Sequence, residues 1–236
     1  MVEKLAIMQP YIFPYIGYLQ LINSVDSFIF LDDVNFIKKG WIHRNEFPIG
    51  DSTYTFSIPL KKKSQNKLIS ETFIHEINYK KWKENFYKTL NEQYKSAKNY
   101  GAVNSLVRDV FDSPEHNIAR LAADSVIKTC KYLEIETKFK FSSNIDIDET
   151  LRGQARIIEF CKKEKTTDYI NLSGGKDLYH IKDFRNENLK LKFIRLKDLK
   201  TENDFFSKNK YFSIIHLLMH LDKSEIRYFL NFYETE

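Results

Sequence analysis

The sequence of 236 residues has little cysteine, glycine or proline, and it has no long hydrophobic run. The two cysteines, Cys130 and Cys161, cannot cross-link a domain of this size, so reduced structural thiols and a cytoplasmic location are expected. Seven glycines and five prolines, beside 15% aromatic residues, exclude a collagenous or disordered chain. No apolar run reaches the ~18 residues of a transmembrane helix, and the first residues lack the features of a signal peptide.

The charge is mildly positive and spread along the chain. The formal net charge is +5, and the lysines are scattered rather than clustered. Duplex DNA binding needs a clustered basic face, so this distribution argues against it. An anionic small molecule such as a nucleotide sugar is the kind of ligand that the charge balance suits.

The order of apolar segments predicts an α/β fold. Apolar runs at residues 4–8 and 27–31 flank a helical stripe that starts near Pro14, which is the pattern of a parallel βαβ unit. We therefore expect a parallel-sheet, Rossmann-like core and a single domain over residues 1–236. The later elements that we predict are strands at 138–141, 168–172 and 189–196, and helices at 149–164, 212–221 and 225–232.

An insertion of different character interrupts this pattern. Tyr54, Phe56 and Ile58 alternate with polar residues, and residues 68–74 are also prone to form a strand, so a β-hairpin joined by the polar loop 61–66 is predicted. A helical segment is expected over 78–135. Its second half should begin at Ser113-Pro114-Glu115, where a serine cap precedes a proline and an acid.

The first candidate site follows the first predicted strand. Two prolines and several tyrosines surround a strand-to-helix turn, where open α/β sheets bind ligands. The alternative is a rigid turn whose tyrosines pack in the core. The residues assigned to substrate binding are Gln9, Tyr11, Tyr15, Gly17 and Tyr18.

The second candidate site follows the second predicted strand. Asp32 or Asp33 could hold a metal, orient a base or accept a hydrogen bond from a sugar hydroxyl, and Lys38 and Arg44 could hold a phosphate or carboxylate. Both acids and His43 are assigned as candidate catalytic residues. The acids could also hold Arg44 in place when the site is empty. A solvated loop with a salt bridge is the alternative. The residues assigned to substrate binding here are Lys38, Trp41, Arg44 and Asn45.

The third candidate site is Ser173-Gly174-Gly175 with Tyr179. A glycine pair after a strand exposes backbone N–H groups that can bind an anion, but a turn with positive φ would explain it equally well. A Walker motif is absent. His216 and His220 have a zinc-like spacing without a third ligand, so no metal is expected. Because parallel strand ends share one sheet edge, we expect the three candidate sites to meet in one cleft.

Read together, these motifs resemble the WbqC-like family. The resemblance rests on residues 8–18, 32–36 and 39–45, on the region around Trp82, and on residues 171–179 and 211–215. His43 and His216 depart from the pattern expected of the family, which would have asparagine and aspartate there. The resemblance implies a role in surface polysaccharide (O-antigen) or amino-sugar biosynthesis. It implies acyl or aminoacyl transfer to a nucleotide-linked amino sugar. It leaves the cofactor and the acyl donor open.

A second resemblance lies at the level of the fold. The opening segment is similar to that of nucleotidylyltransferase-like enzymes, but residues 14–18 keep only Gly17 of their HxGH motif. An ATP-dependent activation of a carboxylate or phosphate is therefore an alternative function. A scaffold within a polysaccharide assembly complex is the non-enzymatic alternative, and it predicts a large exposed apolar patch without a deep pocket.

Overall fold

A six-stranded sheet forms the centre of the chain. The computed structural model describes residues 3–62, 66–197 and 204–236. The strands lie in the order β5-β2-β1-β6-β7-β8, with the first five parallel and β8 antiparallel to β7. The strands of this sheet are β1 (Lys4–Met8), β2 (Ser27–Phe30), β5 (Lys138–Phe141), β6 (Asp168–Leu172), β7 (Lys190–Leu196) and β8 (Tyr233–Thr235), and the separate hairpin contains β3 (Arg44–Ile49) and β4 (Ser52–Ser57).

Helices cover both faces of this sheet. Leu5 and Ile7 of β1 belong to one hydrophobic cluster, whereas Ala6 between them belongs to the other, so the strand is buried on both sides and reads as a continuous apolar run. The helices are α1 (Ile16–Asn23), α2 (Glu76–Tyr94), α3 (Tyr100–Phe111), α4 (Ile118–Tyr132), α5 (Gly153–Glu164), α6 (Ile181–Asn186), α7 (Asp204–Asn209), α8 (Ile214–His220) and α9 (Lys223–Leu230).

The strand order is that of a doubly wound sheet. Taken in chain order, the five parallel strands are arranged 3-2-1-4-5, which is the order of the first five strands of the Rossmann fold. Helices α5 and α6 supply Phe160 and Phe184 to the cluster on one face, and α1, α4 and α8 supply residues to the cluster on the other. The prediction of a mostly parallel, Rossmann-like α/β fold is confirmed. The narrower likeness to nucleotidylyltransferases stays a prediction.

The predicted hairpin pairs different residues from those expected. Strand β4 pairs with β3, and not with residues 68–74. Strand β3 was not predicted from the sequence, because it contains Pro48 and proline is rare inside strands. Residues 69–71 form a 3₁₀ turn, and an isolated bridge joins Ile74 to Leu60, which lies just beyond the predicted strand 54–58. Residues 63–65 of the predicted loop lie outside the described residues.

The helix expected at Ser113 begins five residues later. Asn117 caps α4, because its Oδ1 accepts hydrogen bonds from the backbone N–H groups of Ala119 and Arg120 at 2.9 and 3.2 Å. Ser113 instead donates its hydroxyl to the carbonyl of Val110, at the end of α3. The Ser-Pro-Glu sequence therefore ends one helix and approaches the next. Among the described residues, no helix has both the length and the apolar character needed to cross a membrane.

Candidate functional site

A cleft lies where the direction of the strand order reverses. Strands β1 and β6 are neighbours, and the chain runs outward from them in opposite directions, so their carboxyl ends leave a crevice. The cleft has a volume of about 450 Å³. The described residues that line it are Ile7, Met8, Tyr15, Asn171, Leu172, Ser173, Gly174, Gly175, Leu178, Tyr179, Ile194, Arg195, Leu196 and Tyr211, none of which is acidic.

Tyrosine hydroxyls supply much of the polarity of this cleft. Burial, together with Tyr211, raises the pKa of Tyr15 to about 12. Burial also raises the pKa of Tyr179, whose hydroxyl accepts a hydrogen bond from Asn171 Nδ2 at 3.0 Å. Both phenols are therefore protonated at neutral pH, and they act as hydrogen-bond donors rather than bases.

Gly17 does not line the cleft, but it lies directly behind two side chains that do. It is buried in the first turn of α1, and a Cβ atom there would lie 2.4 Å from Tyr15 Cε2 and 2.8 Å from Leu196 Cδ1. Tyr15 and Leu196 both line the cleft. The absence of a side chain at residue 17 thus lets the α1 backbone approach these two side chains. Gly17 was assigned to substrate binding, and the structure shows it behind the lining residues.

The glycine pair lies in a 3₁₀ helix directly after β6. This helix spans Ser173–Leu178, and neither Gly174 nor Gly175 has a positive φ, so the turn alternative is wrong. A Cβ atom on Gly174 would meet no atom within 4 Å, because the residue borders open space. Ser173, Gly174, Gly175 and Tyr179 all line the cleft, as the third candidate site requires.

Charged residues at the rim of the cleft are paired. Arg195 Nη2 lies 2.6 Å from Glu234 Oε2, and its Nε lies 3.4 Å from Glu236 Oε1. Lys176 also contacts Glu236. An anionic ligand that bound Arg195 would replace these two carboxylates, of which Glu234 lies in β8 and Glu236 directly after it.

A row of aromatic rings connects the cleft to the second candidate site. Tyr11 lies 6.4 Å from Tyr15 and stacks on Trp41 at 6.1 Å between ring centroids, and Tyr15 lies 6.2 Å from Tyr211. The guanidinium of Arg44 lies 4.7 Å from the Trp41 ring centroid. The first two candidate sites are therefore in contact through their aromatic side chains.

Arg44 is held by its own loop and not by the acid pair. Its Nε donates to the carbonyl of Gly40 at 3.2 Å, and its Nη2 donates to the carbonyl of Lys39 at 2.5 Å. The expectation that Asp32 and Asp33 hold Arg44 is wrong, because their partners come from residues 142, 143 and 156. The reason is that Arg44 lies in a loop and strand that lead away from the carboxyl end of β2.

Asn45 fastens a backbone turn that has left-handed geometry. Phe13 is buried with φ of 41°. Asn45 Nδ2 donates to the carbonyls of Ile12 and Phe13 at 3.1 and 2.6 Å, and Ser213 Oγ donates to Phe13 at 2.8 Å. A non-glycine residue rarely adopts a positive φ, so these hydrogen bonds hold a strained turn in the first candidate site. Asn45 is only 1% exposed, and its amide is committed to this turn.

The two aspartates after β2 have different surroundings. Asp32 is fully buried; its Oδ1 accepts from Ser143 N at 3.0 Å and its Oδ2 from Ser143 Oγ at 2.8 Å. Asp32 thus joins the end of β2 to the turn after β5. Asp33 is half-buried, and its carboxylate accepts from Ser142 Oγ and from Arg156 Nη2, each at 2.5 Å.

Asp33 borders a polar cavity of its own. This cavity has two compartments of about 530 and 320 Å³, and both include Asp33, Glu149 and Arg156. It lies at the carboxyl ends of β2 and β5, on the same edge of the sheet as the cleft. The expected single cleft therefore holds Tyr15 and the Ser173–Tyr179 residues, whereas Asp33 lies in a second cavity.

Four other candidate residues line neither cavity. His43 is 1% exposed, and its ring centroid lies 5.3 Å from that of Phe36. Tyr18 is buried and donates its hydroxyl to the carbonyl of Gln9 at 2.9 Å. Gln9 is half-buried, and Lys38 is exposed. Their assigned roles stay predictions.

The histidine pair of α8 belongs to the core around α2. His216 Nδ1 and Tyr94 Oη are hydrogen-bonded at 2.8 Å, and the tautomer of the histidine decides which of them donates. His220 packs against the same tyrosine. Burial and the neighbouring His220 lower the pKa of His216 to about 4, so it is neutral at pH 7. In the described ranges, no three His, Cys, Asp or Glu side chains are grouped as a metal site would need.

Comparison with known proteins decides the family. A model of the WbqC-like protein family matches residues 9–228. The chain belongs to this family. The uncharacterized protein Rv1507c of Mycobacterium tuberculosis is 25% identical to this WbqC-like chain over 172 residues, which make up 72% of each protein. No solved structure matches the chain.

The structure adds site residues to the WbqC-like chain that sequence reasoning missed. Arg156 contacts Asp33 across 123 residues of sequence, and Arg195 and Tyr211 line the cleft. An arginine inside a predicted helix or strand carries no signal of such a contact. Tyr211 is the first residue of the family-like segment 211–215, and this position was the signal that the sequence offered for it.

Proposed function

We propose that this WbqC-like protein is a transferase of surface polysaccharide or amino-sugar biosynthesis. It binds a nucleotide-linked amino sugar and transfers an acyl or aminoacyl group to the amine. The observation that supports the proposal best is the cleft of about 450 Å³ at the point where the strand order reverses. In doubly wound sheets, nucleotides bind in the crevice outside the carboxyl ends of the strands at this point.

The chemistry of the cleft lining fits the nucleotide part of such a ligand. Tyr15 and Tyr211 present aromatic faces, on which a base can stack. Protonated phenols, the Ser173 hydroxyl and Arg195 offer donors to phosphate and ribose oxygens. No acidic side chain among the described residues lines the cleft, and an anion that binds Arg195 would displace Glu234 and Glu236 from it.

Asp33 is the best-placed acceptor for the proton of the amine. Of Asp32, Asp33 and His43, it is the residue that lines the polar cavity described above, and the other two line neither that cavity nor the cleft. In the proposed step, Asp33 takes a proton from the substrate ammonium, and the amine lone pair then attacks the carbonyl carbon of an activated acyl ester or thioester. The C–N bond forms, the bond from carbon to the alcohol or thiol oxygen or sulfur breaks, and the leaving group departs with its electron pair. The second proton of the amine returns to that leaving group.

Binding of nucleotide sugars to matched glycine variants tests the proposal. Gly174→Glu places a carboxylate at the open cleft rim without a clash, since a Cβ atom there meets nothing within 4 Å. Gly101→Glu is the control, because Gly101 in α3 has equally open surroundings. Calorimetry with uridine, thymidine and guanosine diphosphate sugars should detect binding to the wild-type protein, and Gly174→Glu should weaken it at least tenfold.

Two results would contradict the proposal. One is that no nucleotide sugar binds, and the other is that Gly174→Glu and Gly101→Glu bind equally well. Titration with ATP is the comparison, since binding of ATP in place of sugar nucleotides would favour the nucleotidyltransferase alternative. For the reaction itself, a gain of one acyl group on the amino sugar, measured by mass spectrometry, is the expected product.

A further inference from the structure

The cavity around Asp33 has features of a second ligand site. Its two compartments meet at Asp33, Glu149 and Arg156, where β2 and β5 end and α5 begins. We infer that this cavity binds a primary ammonium group that has a carboxylate or hydroxyl oxygen beside it. The inference deepens the proposed function, and it rests on that function for the view that an amine reacts in this protein.

The balance of charges around the cavity points to a dipolar ligand. The larger compartment contains two carboxylates, Asp33 and Glu149, and two guanidinium groups, Arg152 and Arg156. The smaller compartment adds a third carboxylate, Asp146. The cleft has Arg195 and no acidic lining residue among those described, and the two carboxylates that pair with Arg195, Glu234 and Glu236, lie outside its lining. A polyanion would meet three carboxylates in the Asp33 cavity, whereas a ligand that carries an ammonium and a carboxylate finds a partner of opposite charge for each group. The cleft therefore suits an anionic nucleotide, and the Asp33 cavity suits a ligand that carries both charges.

Asp33 can accept an ammonium group without losing its present partners. Its Oδ1 accepts one hydrogen bond, from Ser142 Oγ, and its Oδ2 accepts one, from Arg156 Nη2. Each carboxylate oxygen has two lone-pair directions, so both oxygens retain capacity for an N–H donor. The side chain keeps 20% of its exposure, which leaves it reachable from the cavity.

Arg156 supplies the complementary group for a ligand oxygen. Its side chain is 13% exposed, and its Nε is buried without a hydrogen-bond partner. A buried donor without an acceptor is unfavourable, and a guanidinium has five N–H groups, of which Asp33 takes only part. Arg152 lines the same compartment. A carboxylate or hydroxyl oxygen of the ligand, placed beside the ammonium, would be favoured between these two side chains.

Two kinds of molecule have an ammonium group beside an oxygen, and titration with a small representative of each distinguishes them. An amino sugar presents an ammonium beside hydroxyls, and a free amino acid presents it beside a carboxylate. Ligand-observed NMR titration of the intact chain with glucosamine and with alanine tests each source. N-acetylglucosamine and propionate are the matched probes that lack the ammonium group. We expect one of the two amines to bind at least tenfold more tightly than its matched probe.

Asp33→Asn should weaken the binding of that amine at least tenfold, since it removes the charge and keeps the shape. Asp51→Asn, an equivalent change at an exposed residue between β3 and β4, should leave binding unchanged. Glu149→Gln provides a second test at an exposed lining residue, and it decides the matter if Asp33→Asn does not fold. Equal binding of amine and matched probe, or full binding by the variants at 33 and 149, would overturn the inference.

The same titrations separate this inference from the proposed function. Gly174→Glu should weaken nucleotide-sugar binding and leave the small amine unaffected, because Gly174 lines the cleft and not the Asp33 cavity. Loss of the amine site with an intact cleft would reject the inference alone. An intact amine site with no binding in the cleft would reject the proposed function alone.

Discussion

Gly17→Ala should destabilise the protein even though alanine favours helices. The added Cβ atom would lie 2.4 Å from Tyr15 Cε2 and 2.8 Å from Leu196 Cδ1. Carbon atoms in contact prefer a separation of about 3.5 to 4.0 Å, so the tyrosine ring would have to move by roughly 1 Å. Because Gly17 is buried in the first turn of α1, the backbone can do little to relieve the clash.

Two effects of opposite sign set the size of the change. Overpacking a well-packed site costs about 1–3 kcal/mol. Replacing glycine by alanine in a helix returns at most about 1 kcal/mol. With the full return subtracted, the free energy of unfolding should fall by up to about 2 kcal/mol. The displaced Tyr15 ring borders the cleft, so ligand binding there should weaken as well.

Gly101→Ala is the matched control. Gly101 is also the second residue of its helix, α3, and a Cβ atom there meets nothing within 4 Å. That variant should gain about 0.5–1 kcal/mol, since only the helix propensity changes. Urea unfolding followed by tyrosine and tryptophan fluorescence gives both values, provided the slopes are equal. If Gly17→Ala proved as stable as Gly101→Ala, the close approach of α1 to the cleft wall would be refuted.

Three further predictions concern buried polar groups. Asn45→Ala should lower the free energy of unfolding by about 1–3 kcal/mol, measured in urea, because the buried carbonyl of Ile12 loses its side-chain donor and that of Phe13 keeps only Ser213; an unchanged midpoint would contradict this. The pKa of His216 is about 4 in the folded chain, against an ordinary value near 6.5, so the unfolded chain binds more protons between these values and stability is lost as the pH falls from 6.5 to 4. His216→Gln should flatten that part of the stability-against-pH curve, and a curve that keeps its slope would show that other groups cause it. Burial raises the pKa of Cys161 to about 12 and that of Cys130 still further, so a thiol reagent should label both slowly in the native protein and fast in urea.

Most elements of the central sheet could be predicted because their signal is local. A strand buried on both faces is a short apolar run, and β1, β2 and β6 all have this form. Strand β3 was missed because Pro48 lies within it, and β8 was missed because three residues at a sheet edge carry little pattern. The prediction of a single domain, with a helical segment over 78–135, stays a prediction.

In the candidate sites, residues placed by a strand end could be predicted from the sequence, whereas contacts between distant segments could not. The glycine pair after β6 and Tyr15 were found from sequence because a strand end positions both. The pairing of Asp33 with Arg156 could not be found, since an aspartate followed by Arg44 suggests the nearer partner. Asn45 was assigned to a ligand because a polar residue among aromatics resembles a binding residue. In the structure, the Asn45 side chain bonds to the backbone at Phe13, whose φ is 41°. No sequence pattern predicts a positive φ at a phenylalanine.

The position of β1 between β2 and β6 determines how far apart two bound ligands would lie. Neighbouring strands are about 4.8 Å apart, so the ends of β2 and β6 are separated by roughly 10 Å. A synthetic compound that joins a nucleotide to an amine by a linker of about that length could occupy both cavities at once. After one group has bound, the other would bind at a high effective concentration. The joined compound should therefore have a higher affinity than the nucleotide or the amine alone. A series of linker lengths would therefore measure the distance between the two cavities directly in solution.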